Sequence, residues 1–411
     1  MANLFQNTTS GLGVLKQLFI APLVDQTNQD VQLWNGLKPS KYKFTGSQVN
    51  RPIKVRRNPG IGAGSDQGNL PSTGRQTTVQ ANVAVKYNWL TFGVTGPMIS
   101  ASGNDAGSFV RIVAFEMEKG HEDFVADVNR QMGYDGTGYL ARLNSAAVAT
   151  TSITVKGRED TEYALKFLDV GMIVDIISSG SVVASGVTIT AISGTKTATT
   201  ATLTLDTAVT ASANDYVVRT GAYNLEIQGV LTLFDGATST KYGVDRSTYG
   251  IYNGNVIDKS TESTTNLVLD DLQRLQDTIE SLAGKTDGQS INAIFSDFNG
   301  RRFYQKLLTA DKRYSNTVKG DGSFSDMSKN YLEWAGIPWV ADKDFPPKIA
   351  MLNNGCFEKM VQKEFEWADE TGAPLIAQTG VDALEARMRF FANAFNNKPI
   401  GGGILKGYTS P

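Results

Sequence analysis

The chain has 411 residues, 39 Lys and Arg against 41 Asp and Glu, 41% hydrophobic and 19% charged, with one His and one Cys. Such a length can bury a large core, as several domains or as one with insertions, and the balance is that of an ordinary folded protein. The lone Cys356 excludes an intrachain disulfide and a cysteine-based zinc site, the lone His121 excludes a histidine metal cluster within one chain, and no apolar run approaches the roughly 20 residues of a membrane helix.

Charge is unevenly spread. Residues 1–95 hold ten Lys and Arg against Asp25, Asp30 and Asp66, a net +7 that leaves −9 for the remainder. A basic first quarter and an acidic body suggest that one part docks on another, or on a second copy. The start, Met1 to Gly13, has neither a basic leader nor an apolar signal core, so secretion is not expected. Residues 1–40 read as an arm: Val14, Leu15, Leu18 and Phe19 fit a helical turn or two, but Pro22 and Pro39 prevent a continuous element. Alternation from Val49 to Val55 and again from Val79 through Ala81, Val83, Val85, Tyr87 and Trp89 predicts a pair of strands. The tip between them, Arg57 to Thr77, is rich in glycine, includes Pro59 and Pro71, and has almost nothing to bury. So long a loop implies a docking arm, and Arg51, Lys54, Arg56, Arg57 and Arg75 make it basic.

Phe109, Ile112, Val113, Met117, Phe124, Val128 and Met132 recur at helical spacing and predict one amphipathic helix from Ser108 to Met132, stopped by Gly133-Tyr134-Asp135-Gly136-Thr137-Gly138. Its polar face is read as solvated and mostly acidic, with Glu116, Glu118, Glu122, Asp123 and Asp127 against Arg111, Lys119 and Arg130. From Thr150 to Arg219 the composition turns to Ser, Thr, Ala, Val and Gly. The short runs Phe167-Leu168, Met172–Ile177, Val187–Ile192, Leu203–Leu205 and Tyr216–Val218 predict a small all-β module with sharp borders. Helical spacing returns from Leu267 to Leu282 before Gly284; a strand follows at Ile291–Phe295, a helix from Phe298 to about Ala310, strands at Leu332–Val340 and Ile349–Leu352, and a last helix at Phe357–Trp367. Leu384 to Ala394 alternates as a half-exposed strand, although Leu384, Met388, Phe391 and Phe395 also fit a helix, and Ile404-Leu405 closes the chain.

Motifs with chemistry are weak. Gly284-Lys285-Thr286 resembles the end of a phosphate loop, but Ile279 stands where the earlier glycine belongs, and a helix stop accounts for it better. Gly60-Ile61-Gly62-Ala63-Gly64 opens into no helix that would receive a phosphate, and reads as a flexible loop tip. His121 sits within the long helix, where a surface imidazole is the simpler reading, and no short motif singles out a carboxylate pair. Neither an enzyme nor a cofactor is expected.

The order of these parts resembles the major capsid proteins of tailed bacteriophages, whose fold is shared by encapsulin shells. The local matches are Gly136-Thr137-Gly138 directly after the long helix, Gly336-Ile337-Pro338-Trp339-Val340, and Arg389 to Phe395 followed by Lys398-Pro399 and Ile404-Leu405-Lys406-Gly407. The resemblance implies an α+β capsid fold: an N-terminal arm (1–40), an extended loop (41–95), a peripheral domain with a spine helix (96–149), an inserted β-rich module (150–219), a return to the peripheral domain (220–261), an axial domain (262–384) and peripheral C-terminal strands (385–411). It also implies a subunit that assembles through pentamers and hexamers into the head of a tailed phage. Such a head is built in the host cytoplasm with a separate scaffolding protein and a portal. It would hold double-stranded DNA by weak non-specific contact, since net charge is near neutral, and would not engage a membrane. The expected assembly contact pairs Arg56, Arg57 and Arg75 of the loop with Glu116, Glu118, Glu122 and Asp123 on the spine helix of a neighbour. A competing expectation is a secreted or surface adhesion protein that binds glycan or receptor through the β module.

Overall fold

The computed structural model describes residues 31–40, 44, 46–102, 112–159, 161–284, 290–309, 332–369, 375–378 and 380–411. The expected turn at Val14–Phe19 and the expected helix start at Ser108 lie outside the described residues. The described chain opens with a short helix α1 (Gln32–Gly36) and a two-residue strand β1 (Lys38–Pro39). Leu33 and Trp34 are buried, and Trp34 meets Phe390 edge-on at 5.3 Å between ring centres. This stretch is therefore part of the main core.

Strands β2 (Gln48–Arg56) and β3 (Thr77–Ala84) pair antiparallel as a separate ribbon, Val49 opposite Val83 and Ile53 opposite Val79. The second run, expected as one strand through Trp89, breaks at Val85. Its N–H donates to Ser47 O at 2.9 Å, and β4 (Lys86–Thr95) then enters a different sheet. The break inverts burial along one unbroken alternation. Ala81, Val83 and Val85 are buried, whereas Tyr87 and Trp89, of the same parity, are 44% and 57% exposed, because β4 turns Leu90 toward the long helix instead.

After α2 (Gly96–Ser102) comes that helix, α3, described from Ile112 to Gly133, 22 residues or about 33 Å. Gly120 admits the strand at close range: a Cβ there would lie 3.0 Å from Leu90 Cδ2. Phe124, Val128 and Met132 face the core as their spacing requires. No helix among the described residues is long and apolar enough to cross a membrane.

The β module is a closed barrel of β5 (Tyr139–Leu143), β6 (Ala147–Gly157), β7 (Ile173–Ser178), β8 (Ser181–Ser193), β9 (Thr200–Ala211) and β10 (Tyr216–Arg219), in the order β10-β5-β6-β9-β8-β7. It begins before residue 150. β5 and β6 supply Leu140, Leu143, Ile153 and Val155 to the same interior as Ile176, Ile189 and Leu203, so the change of composition marks only part of the barrel. Phe167-Leu168, expected as a strand, lies outside the strands, although Leu168 is buried in the barrel core. Closure leaves the barrel no free edge. It is tied back to the body by Arg158–Asp135 at 2.8 Å, Lys348–Glu159 at 2.6 Å and Tyr134 Oη donating to Glu162.

The rest builds two sheets. One holds β11 (Asn255–Asp258), β12 (Ala293–Ser296), β13 (Glu333–Trp334), β14 (Ile337–Ala341), β15 (Ile349–Leu352) and β19 (Gly403–Lys406) in the order β11-β19-β15-β12-β14-β13, with α4 (Leu269–Ala283) and α5 (Phe298–Thr309) packed on it. α4 ends where expected: Gly284 has φ +62° and its N–H donates to Glu280 O. The other sheet holds β1, β4, β16 (Phe357–Trp367), β17 (Leu375–Ala377) and β18 (Ala383–Asn396). The expected axial range 262–384 does not follow these sheets, since β11 and β19 fall outside it and β16 and β17 within it pair with β18.

The expected helix at Phe357–Trp367 is instead the strand β16, antiparallel to β18, whose own strand reading holds. Register shifts between Val361 and Lys363 and between Lys363 and Glu366 break its alternation, and helix-forming Glu and Lys are overridden by long-range pairing. Phe365 stacks on Phe390 at 4.1 Å and meets Phe124 of α3 edge-on at 5.4 Å.

Candidate assembly interface

The tip between β2 and β3 is a narrow two-limbed finger. A Cβ on Gly60 would lie 2.7 Å from Gly74 N, one on Gly62 would be 3.2 Å from Pro71, and the limbs reverse where Gly68 N–H donates to Ser65 O at 2.9 Å. Glycine is required at the first pair because the backbones meet there. With about ten residues per limb the finger reaches roughly 30 Å beyond the ribbon. Ile61 is 85% exposed and Leu70 91%, so neither rests on its own subunit.

Arg56 ends β2, and Arg57 and Arg75 flank the finger's base. All three are exposed, and none forms an ion pair among the described residues. The expected receiver is split in this copy. Glu118 and Asp123 are exposed; Glu116 and Glu122 are half-buried, and Glu122 meets Lys119 one turn away at 2.7 Å. Nothing within one copy brings the three arginines to these four acids.

The reading of a fully solvated polar face on α3 fails in its last turns. Arg130 is 2% exposed; its Nε donates to Asp127 and its Nη2 to Glu226, while Arg219 meets Asp127 at 2.9 Å. Burial alone would raise the Asp127 carboxyl, but Arg130 and Arg219 outweigh it and hold the carboxyl well below the usual carboxylate range. Asn129 is buried as well. Its Nδ2 donates to Asp342 and Asp344, its Oδ1 accepts from Trp34 N, and Asp342 accepts from Leu33 N, so one carboxamide joins arm, helix and sheet. His121, expected at the surface, packs against the sheet with Nδ1 3.4 Å from Met388 Sδ and its ring edge-on to Phe365. Composition held no signal for these placements, because a charged residue on a helix face is usually solvated.

Beside the buried end of α3 lies an open cleft of about 450 Å³, walled by β4, α3 and residues 219–226. Tyr87 and Trp89 stack at 5.9 Å on its rim, Phe391 meets Tyr87 edge-on at 5.0 Å, and Leu225 is 59% exposed. Asp123, Asp127 and Glu226 make the lining acidic. Sequence reasoning placed these aromatics on a buried strand face and missed them as surface.

No family model and no curated protein matches this sequence. Solved structures do. The chain is similar to the capsid asymmetric unit of cyanophage A-1(L) at a TM-score of 0.64 and 12% identity, covering 98% of this chain and 100% of that one. It is similar to the capsid of a native GTA particle at 0.56 and 8%, covering 99% and 100%, and to the capsid of Myoviridae phage XM1 at 0.50 and 7%, covering 98% and 99%. At such identities the likeness shows the fold.

Proposed function

We propose, from the premise that this chain has the phage major capsid fold, that it is the shell subunit of a tailed-phage head. The observation that carries this reading is likeness along the whole length, barrel included, rather than over one domain. In this reading α3 is the spine helix, the β2–finger–β3 ribbon is the extended loop, and the barrel is an insertion. The sheet of β4, β16 and β18 belongs to the peripheral domain, and the sheet under α4 and α5 to the axial domain. Copies assemble as pentamers and hexamers around double-stranded DNA, guided by a separate scaffolding protein and a portal.

The finger supplies the contact between copies. A limb pair that buries none of its apolar side chains gains order only against a partner, and Arg56, Arg57 and Arg75 have carboxylates available on a neighbour's spine helix, Glu118 and Asp123 foremost with Glu116 and Glu122 beside them. Electron microscopy of the pelleted full chain is the test. Closed shells or tubes are the expected result, and a protein that stays as discrete single particles at every concentration overturns the reading.

A further inference from the structure

The finger and the cleft are complementary but cannot meet within one subunit. β3 leads away from the finger and joins β4 only at Val85, so its full length, 8 residues or about 26 Å, separates the tip from the cleft. The cleft presents an apolar rim of Tyr87, Trp89 and Leu225 above an acidic lining; the finger presents Ile61 and Leu70 above a base carrying Arg57 and Arg75. The cleft also holds donors that the subunit leaves unused. Asn88 Nδ2 is buried on its wall without an acceptor, and so is Nη1 of Arg130, whose partners Asp127 and Glu226 line the same cleft. A buried donor without a partner costs about 1–3 kcal/mol, so an incoming carbonyl oxygen is favoured there. Beyond them, β4 pairs with β18 on one side, and no other strand pairs with it among the described residues, which leaves backbone groups along its outer edge for a further chain.

We infer that the cleft between β4, α3 and residues 219–226 receives the finger of a second copy of this chain, with Ile61 and Leu70 seated on Tyr87, Trp89 and Leu225. This rests on the shell reading and moves the centre of the contact. The arginine pairs with Glu118 and Asp123 form its charged rim, and the cleft holds its apolar middle. Asp123, which lines the cleft and belongs to the acidic stripe of α3, is where the two halves join. The finger's narrowness matters, because two glycine-pinched limbs fit an open groove that a wider hairpin would bridge.

The test is a disulfide between copies. Cys356 is 2% exposed and does not compete, so cysteines are placed at Leu70→Cys and Leu225→Cys in one chain, at Leu70→Cys and Glu118→Cys in another, and singly as controls. Sedimented assemblies are oxidised and run on a non-reducing gel. The expected result is a ladder of covalent multimers from the 70/225 pair, at least tenfold above either single variant, and dimers when the Leu70→Cys and Leu225→Cys single variants are co-assembled. A ladder from 70/118 without one from 70/225 overturns the cleft assignment and leaves the docked finger standing. Assemblies that crosslink through neither pair overturn both, and a wild-type chain that sediments only as a monomer overturns the shell reading together with the cleft.

Discussion

The last turns of α3 and the finger handle charge and apolar surface in opposite ways. In α3 the ionised groups of Asp127, Arg130 and Glu226 are buried and satisfied by one another, and the apolar Val128 and Met132 are covered by the same chain. In the finger the arginines have no partners and Ile61 and Leu70 face outward. Stability of the subunit is therefore concentrated in the first region, and surface for association in the second. The difference also explains why one helix cannot be both an all-solvent charge stripe and the anchor of a barrel: Arg219 at the barrel's end draws Asp127 inward.

The largest effect is expected from Arg130→Met. It leaves Glu226 without its cation and Asp127 with Arg219 alone, both largely buried, and should cost about 3–5 kcal/mol in urea unfolding of the unassembled subunit. A loss under about 1 kcal/mol would show that this end of α3 is wetter than its burial implies.

Next comes acid. Burial raises the Asp135 carboxyl, but Arg158 and the hydrogen bonds from Thr137 outweigh it and bring it to about 2. Its folded pKa thus lies below the unfolded value of about 3.9, so its stabilisation is complete above about pH 4 and lost as pH falls through about 2. That contribution is about 2 kcal/mol. Asp135→Asn should flatten this acid limb in a pH series of unfolding, and an unchanged slope would assign the limb to Asp127, whose shift has the same sign.

Smaller effects on the subunit distinguish the finger. Changing Arg56, Arg57 and Arg75 together to Glu should leave helical content by circular dichroism and subunit stability unchanged within about 0.5 kcal/mol, while particle yield falls and its salt dependence weakens, since exposed pairs are screened beyond about 8–10 Å. Equal yield at low and moderate salt would remove the electrostatic part of the contact. Smallest on the subunit is Ile61→Ser with Leu70→Ser, expected within the error of unfolding because neither side chain is covered in one copy. Sedimentation should show fewer particles, and any clear loss of subunit stability would mean the finger folds back on its own chain.

The sequence by itself determined the elements whose signals are local. The period of α3, the Gly284 stop of α4, the β2–β3 ribbon and the barrel strands from β7 to β10 follow from spacing and turn residues, as does the finger, since a run with almost nothing apolar has no core to join. Cys356 is buried, as a lone small thiol was expected to be. Only the tertiary structure decided features that depend on a distant partner. β16 is a strand because β18 lies beside it, and β4 exposes Tyr87 and Trp89 because the chain changes sheets at Val85. Arg130 is buried because Glu226, 96 residues away, meets it. Alternation says that a strand has two faces, but which face meets the core is set by the sheet it joins. The cleft belongs to this second class, and its aromatic rim and unused donors come from segments that no short-range pattern links.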